Sequence, residues 1–184
     1  MRTKKGEYGY INGGKKRAVL YTFLCFGISL ALFFIGWYTT GTKKNLLTIV
    51  AVLGCLPASK SMVNMIMFLK AKGCPGALYE QIKSHIGNLL CLFDLQMTSY
   101  ERTFQIDSLV IEEKTICGMT SNPKCKPELA EKHIRALLEQ NGFKDYTVKI
   151  FTDTAKYTAR MDQLQTEESH ANPEVIQLMK DISL

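Results

Sequence analysis

The clearest pattern in the sequence is a pair of long apolar runs near its start. The first run contains no charged residue from Ala18 to Thr42, and its core, which ends at Tyr38, has 21 residues. A helix of that length measures about 31 Å, close to the hydrocarbon thickness of a bilayer. The run therefore predicts a transmembrane helix over 18–40. The alternatives are a buried helix of a soluble core and a signal peptide, whose apolar region is typically about 7–15 residues long.

The second apolar run predicts a further transmembrane helix over 45–69. Lys60 is the one charged residue that interrupts it, and Pro57 should kink it. A lysine at the bilayer centre costs about 2.5–3.5 kcal/mol on insertion scales, so Lys60 either extends its stem toward an interface or has a function. The alternative is a half-span followed by an interfacial helix over 61–69.

A short loop, 39–44, joins the two runs, so the predicted helices must form an antiparallel hairpin. Small residues four apart, Gly27 with Ala31 and Gly54 with Ala58, permit the two helices to approach closely.

Charge is distributed unevenly along the chain. Residues 1–72 contain eleven Lys/Arg and one acidic residue, whereas residues 73–184 contain twelve Lys/Arg and sixteen Asp/Glu. The positive-inside rule then predicts a multi-pass protein of the cell membrane with both termini in the cytoplasm and 1–17 as a basic cytoplasmic N-terminus. The acidic balance of residues 73–184 is a poor match for nucleic acid.

The six cysteines form no C-x-x-C pair, which is typical of a reducing compartment.

After the breaker at 73–76, the pattern changes to that of a small α+β domain. Periodicity and turn residues predict the element order α-β-β-β-α-β-α for a cytoplasmic domain over 76–165, followed by a polar, acidic tail over 166–184 with one short helix after Pro173. The predicted segments are helix 77–86, strands 88–97, 103–111 and 115–120, helix 127–140, strand 146–151 and helix 154–164.

This element order, with the stretch Phe104–Ile111 followed by Lys114–Ile116, resembles the nuclease-related domain of restriction-endonuclease-like folds over residues 78–152. In that family an aspartate on a strand binds a metal. The resemblance implies that Asp107 matches this aspartate, that Glu80 matches an acidic residue on the preceding helix, and that Mg²⁺ would be the cofactor.

The family also carries an E-x-K motif on the next strand, which completes metal binding and water activation. This chain has Met119-Thr120-Ser121 at that place, and Glu113 with Lys114 falls in the turn before it. The site is then expected to be vacant, with Asp107 and Glu113 as solvated strand-edge or turn residues.

Three functions follow from these patterns. The first is a membrane-anchored cytoplasmic interaction or scaffold module without an evident catalytic site, with the lipid bilayer and a protein partner or a second copy as partners and without metal or cofactor. The second is a membrane-tethered, metal-dependent nuclease-like hydrolase. The third is a small oligomeric channel or transporter subunit in which Lys60 lines the pore.

Overall fold

The computed structural model describes residues 3–41, 46–99, 102–165 and 170–184. They belong to two compact units. Residues Ile11–Ala71 form the first unit, which we call the helical hairpin. Residues Met1–Tyr10 together with Lys72–Leu184 form the second unit, which we call the sheet domain.

The helical hairpin consists of α1 (Tyr10–Thr40) and α2 (Leu46–Lys70), both long and apolar enough to cross a membrane. Helix α1 begins eight residues before the first predicted span. Its extra turns are stabilised by packing, because Ile11 is buried and a side chain at Gly14 would collide with Phe68 of α2. Helix α2 is continuous through Pro57. The loop lysines 43 and 44 lie outside the described residues.

Small and hydroxyl-bearing residues line the contact between α1 and α2. Thr22 Oγ1 and Ser61 Oγ share a buried hydrogen bond of 2.8 Å. A Cβ atom at Gly54 would lie 2.7 Å from Ser29 Oγ, and Ala58 is fully buried between these two levels. The paired residue numbers add to 83 in both cases, so the helices are antiparallel with a constant register.

The small-residue prediction holds for one helix only. Gly54 and Ala58 lie at the contact, but a Cβ at Gly27 would meet open space and Ala31 is exposed. Helix α1 instead contributes hydroxyl groups, which hydrogen-bond within an apolar surface and so also permit a close approach.

The sheet domain contains four strands in the spatial order β1-β2-β3-β4. The first three pair antiparallel, and β4 pairs parallel to β3 after a helical crossover. The strands are β1 (Leu90–Thr98), β2 (Thr103–Glu112), β3 (Thr115–Met119) and β4 (Thr147–Phe151), and the helices are α3 (Gly76–Lys83), α4 (Pro127–Gln140), α5 (Thr154–Leu164) and α6 (Pro173–Ile182).

Helices cover both faces of the sheet. One apolar cluster includes Ile134 of α4 and Met179 of α6, and the other includes Ile82 of α3 and Tyr157 of α5. Strand β2 lies between both clusters, and every residue in it after Thr103 is buried. Five of these buried residues are apolar and four are polar, Gln105, Asp107, Ser108 and Glu112, so a strand covered on two faces must here also satisfy buried polar groups.

The C-terminal segment contains the short helix predicted after Pro173, but beyond residue 170 it packs on the sheet domain and is not a polar tail. Val175 and Met179 of α6 are fully buried in the core, and Leu184 N donates to Gln96 O of β1 at 2.8 Å. The apolar residues of α6 recur four apart, so the helix presents one apolar stripe to the sheet despite its polar average.

Candidate functional site

Two buried aspartates lie opposite each other on neighbouring strands. The register pairs Phe93 with Ser108 and Leu95 with Ile106, which places Asp94 of β1 directly across from Asp107 of β2. Asp94 is 3% exposed and Asp107 is 1% exposed. Carboxylates this deep in a core must be satisfied by hydrogen bonds, so their partners define what the pair does.

A change of strand facing accompanies the pair. Asp94 has a left-handed backbone with φ of 56°, a conformation that aspartate tolerates better than most residues. Simple alternation would put Leu92 and Leu95 on opposite faces, yet both belong to the same apolar cluster. The left-handed residue therefore shifts the alternation of side chains along β1 by one residue, so that Leu95 faces the same side of the sheet as Leu92. It also turns the Asp94 carboxylate out of the regular hydrogen-bonding ladder.

Asp94 holds two distant parts of the sheet domain together. Its Oδ2 accepts from Gly9 N at 2.8 Å and its Oδ1 accepts from Cys74 N at 2.7 Å. Gly9 immediately precedes α1, and Cys74 follows α2 by four residues. We call this arrangement the Asp94 clamp. One carboxylate thus binds the backbone of the two segments of the sheet domain that precede and follow the helical hairpin in the sequence.

The residues around Gly9 pack on the same surface. Phe93 N donates to Gly6 O at 2.8 Å. The rings of Tyr8 and Tyr79 are stacked with centroids 3.9 Å apart, and Phe93 meets Tyr8 edge-on. Segment 4–9 therefore belongs to the sheet domain as well as carrying positive charge, a role that charge counting does not reveal.

Asp107 is a structural carboxylate in this arrangement and not a solvated strand-edge residue. Its Oδ1 accepts from Gln105 Nε2 at 2.7 Å, and its Oδ2 accepts from the backbone N of Ser121. Strand β2 is central, so burial on both faces replaces the solvent that an edge position would provide. The carboxylate fixes the chain where it leaves β3.

Neither a carboxylate nor a lysine occupies Met119-Thr120-Ser121, the position that corresponds to the E-x-K motif. Met119 pairs with Ser108, so the register continues to put Thr120 across from Asp107. Met119 is 2% exposed within the cluster that faces α3 and α5. The side chains beside Asp107 on β3 are thus apolar or hydroxylic.

The other predicted site residues lie elsewhere. Glu80 is exposed on α3. Glu113 and Lys114 are exposed in the turn between β2 and β3, where Lys114 Nζ lies 3.9 Å from Asp145 Oδ2. Glu113 is six positions after Asp107 along the chain of β2 and its following turn, which corresponds to roughly 20 Å. The structure does not bring these four residues together.

A buried polar chain on the α5 face was missed by the sequence analysis. Ser108 Oγ lies 3.0 Å from Cys91 Sγ and 2.9 Å from Tyr157 OH. Desolvation by burial raises the pKa of Cys91 to about 12, and it also raises the pKa of Cys74 to about 12, with the charges of Asp107 and Asp94 adding to the effect. Thiols held neutral in this way are not activated nucleophiles.

Among the described residues, no three His, Cys, Asp or Glu side chains are grouped as ligands for a metal ion. The comparisons with known proteins give no further constraint. No protein-family model matches the chain, and neither a curated protein nor a solved structure matches it significantly.

Proposed function

We propose that this protein is a membrane-anchored interaction module, in which the helical hairpin holds the sheet domain at a bilayer and the sheet domain binds a protein partner or a second copy of the chain. The observation that carries the proposal is the exposed apolar surface of α1 and α2. Leu20, Phe23 and Leu56 are 70%, 71% and 69% exposed, and they represent many similar side chains along both helices. An apolar surface of this extent requires lipid or a protein partner.

The Asp94 clamp supports a two-span arrangement. Because Gly9 and Cys74 are bonded to one carboxylate, the chain must leave and return on the same side of any membrane that the helices cross. The six Lys/Arg among residues 2–17 and the pair at 70 and 72 flank the two apolar runs on this side. The positive-inside rule assigns it to the cytoplasm.

Membrane insertion is tested by carbonate extraction of membranes that contain the full chain. We expect the chain to stay in the membrane pellet. We also expect a membrane-impermeant reagent to reach a tag at either terminus only after the membrane is opened, and to reach a tag inserted at 42–44 without opening. Release by carbonate, or termini labelled on opposite sides, would contradict the proposal.

The interaction itself is tested by cross-linking in the native membrane, followed by mass determination of the full chain in detergent. We expect a defined cross-linked species that contains either a second copy or one partner protein. A monomeric mass together with no cross-linked species would contradict the interaction role.

The nuclease-like alternative has one observation in its favour. The sheet, with three antiparallel strands and a parallel fourth strand reached through α4, has the order that the family resemblance implies. The vacant E-x-K position and the structural bonds of Asp107 argue against activity. Magnesium-dependent cleavage of DNA or RNA by the full chain, lost in Asp107→Asn, would favour this alternative.

A further inference from the structure

A groove on the helical hairpin combines one cation with several polar groups. It has a volume of about 720 Å³, and its lining includes Tyr21 of α1 with Pro57, Lys60, Val63, Asn64 and Met67 of α2. Lys60 and Asn64 are one helical turn apart, and both are exposed. Ordinary lipid-facing surfaces are apolar, so these groups indicate a polar occupant within a mainly apolar surround.

The helix register shows how deep the groove lies. The bond between Thr22 and Ser61 puts these residues at one level, so Lys60 lies level with residue 23. Residue 23 is six residues beyond Arg17, the last charged residue before the apolar run, which corresponds to about 9 Å. Lys60 is therefore near one boundary of the apolar zone and not at its centre, which also weakens a pore-lining role.

The hairpin itself supplies no anion to this cation. Residues 11–71 contain no Asp or Glu, and Lys60 takes part in none of the ion pairs found among the described residues. Arg17, one turn before Tyr21 on α1, does not line the groove, and its Nε donates to Gly13 O at 3.2 Å. Lys60 is thus the cation of the groove, three residues from Pro57, which provides an apolar wall at the deeper end.

We propose that this groove binds the phosphate of an anionic phospholipid, with Lys60 as the cation and with Tyr21 and Asn64 as hydrogen-bond donors. Lipid phosphate is the anion of the nearer interface, toward which the long stem of Lys60 can extend, and basic pockets between membrane helices on the cytoplasmic side suit such headgroups. The acyl chains would lie along the exposed apolar side chains below the groove. This inference rests on the proposed membrane insertion of the hairpin.

The test is native mass spectrometry of the full chain in detergent, titrated separately with phosphatidylglycerol and with phosphatidylcholine. We expect the wild type to retain phosphatidylglycerol at least fivefold better. Lys60→Gln should reduce this preference about fivefold, since an ion pair with the bound phosphate contributes about 1 kcal/mol, and Lys60→Arg should restore it. The matched control Lys70→Gln removes the same charge outside the groove and should change the preference less than twofold.

Equal retention of the two lipids by the wild type, or an equal loss in Lys60→Gln and Lys70→Gln, would overturn the inference. Lys60-dependent binding of inorganic phosphate in the absence of lipid, as tight as that of the lipid, would assign the groove to a soluble anion and would also overturn it. Carbonate extraction separates the two proposals. A chain that stays in the membrane without lipid preference refutes the lipid site alone, whereas a chain that is released refutes both.

Discussion

Replacing Asp94 with alanine removes the acceptor for two backbone N–H groups at once. Hydrogen bonds to a charged group contribute about 1.5–3 kcal/mol each, so the two bonds to Gly9 and Cys74 together contribute about 3–6 kcal/mol. Alanine also tolerates the left-handed backbone less well than aspartate, which adds about 1 kcal/mol. We expect Asp94→Ala to lower the free energy of unfolding of the sheet domain by at least 3 kcal/mol.

Asparagine separates the bonds from the backbone conformation. Asp94→Asn keeps one oxygen acceptor and tolerates the left-handed region, but its amide N–H₂ must face one of the two donors. The expected loss is therefore one bond, about 1.5–3 kcal/mol. A matched control is Asp153→Ala, which removes the single exposed bond from Ala155 N at the start of α5 and should cost about 1 kcal/mol.

The assay is urea unfolding of the full chain in detergent, followed by circular dichroism, with hydrogen exchange measured at the amides of Gly9 and Cys74. We expect both amides to exchange faster in the Asp94 variants and to keep the wild-type rate in Asp153→Ala. If Asp94→Ala loses no more stability than Asp153→Ala, or if the two amides exchange at the wild-type rate, the clamp does not hold the hairpin ends.

Three further predictions concern other parts of the chain. Asp107→Asn should destabilise the sheet domain in urea by about 1–3 kcal/mol, and the wild type with Mg²⁺ should cleave nucleic acid no faster than this variant. Thr22→Val and Ser61→Ala should show a coupling energy of about 0.6 kcal/mol, at most about 1.7, in a double-mutant cycle of hairpin stability. A coupling energy of zero would mean that this hydrogen bond does not stabilise the hairpin. Cys74 and Cys91 should resist maleimide at pH 8 until urea is added, because burial raises the pKa of each thiol to about 12. Since the unfolded thiols ionise near pH 9, their contribution to stability is complete below that pH and is lost as the pH rises toward 12; a flat stability between pH 9 and 11 would contradict this shift.

Long-period patterns were sufficient to predict the main elements of the fold. The two apolar runs correspond to α1 and α2, and the helix 127–140 has its predicted bounds because Pro127 and Asn141 mark its ends. Strand β2 is predicted over 103–111 and observed over Thr103–Glu112, although four of its buried residues are polar.

The roles of the aspartates depend on tertiary contacts that no local pattern contains. Asp94 gave one signal, a lone charge inside the apolar run Leu92–Leu95, and its partners are 85 and 20 residues away in the sequence. Asp107 was noticed for its metal-binding resemblance, yet its oxygens are bonded to Gln105 and Ser121. A family resemblance can locate a carboxylate, but the residues next to it on the neighbouring strand determine whether it can bind a metal.

The Asp94 clamp also sets the order of events during synthesis. Gly9 is made 85 residues before Asp94, so at about 5–20 residues per second it waits roughly 4–17 s for its acceptor. Both helices of the hairpin are complete within this interval. Under the proposed membrane insertion, the N-terminal segment would therefore remain on the ribosome's side of the membrane while the helices insert, and its docking would be a late step that reports whether the hairpin has entered in the proposed orientation.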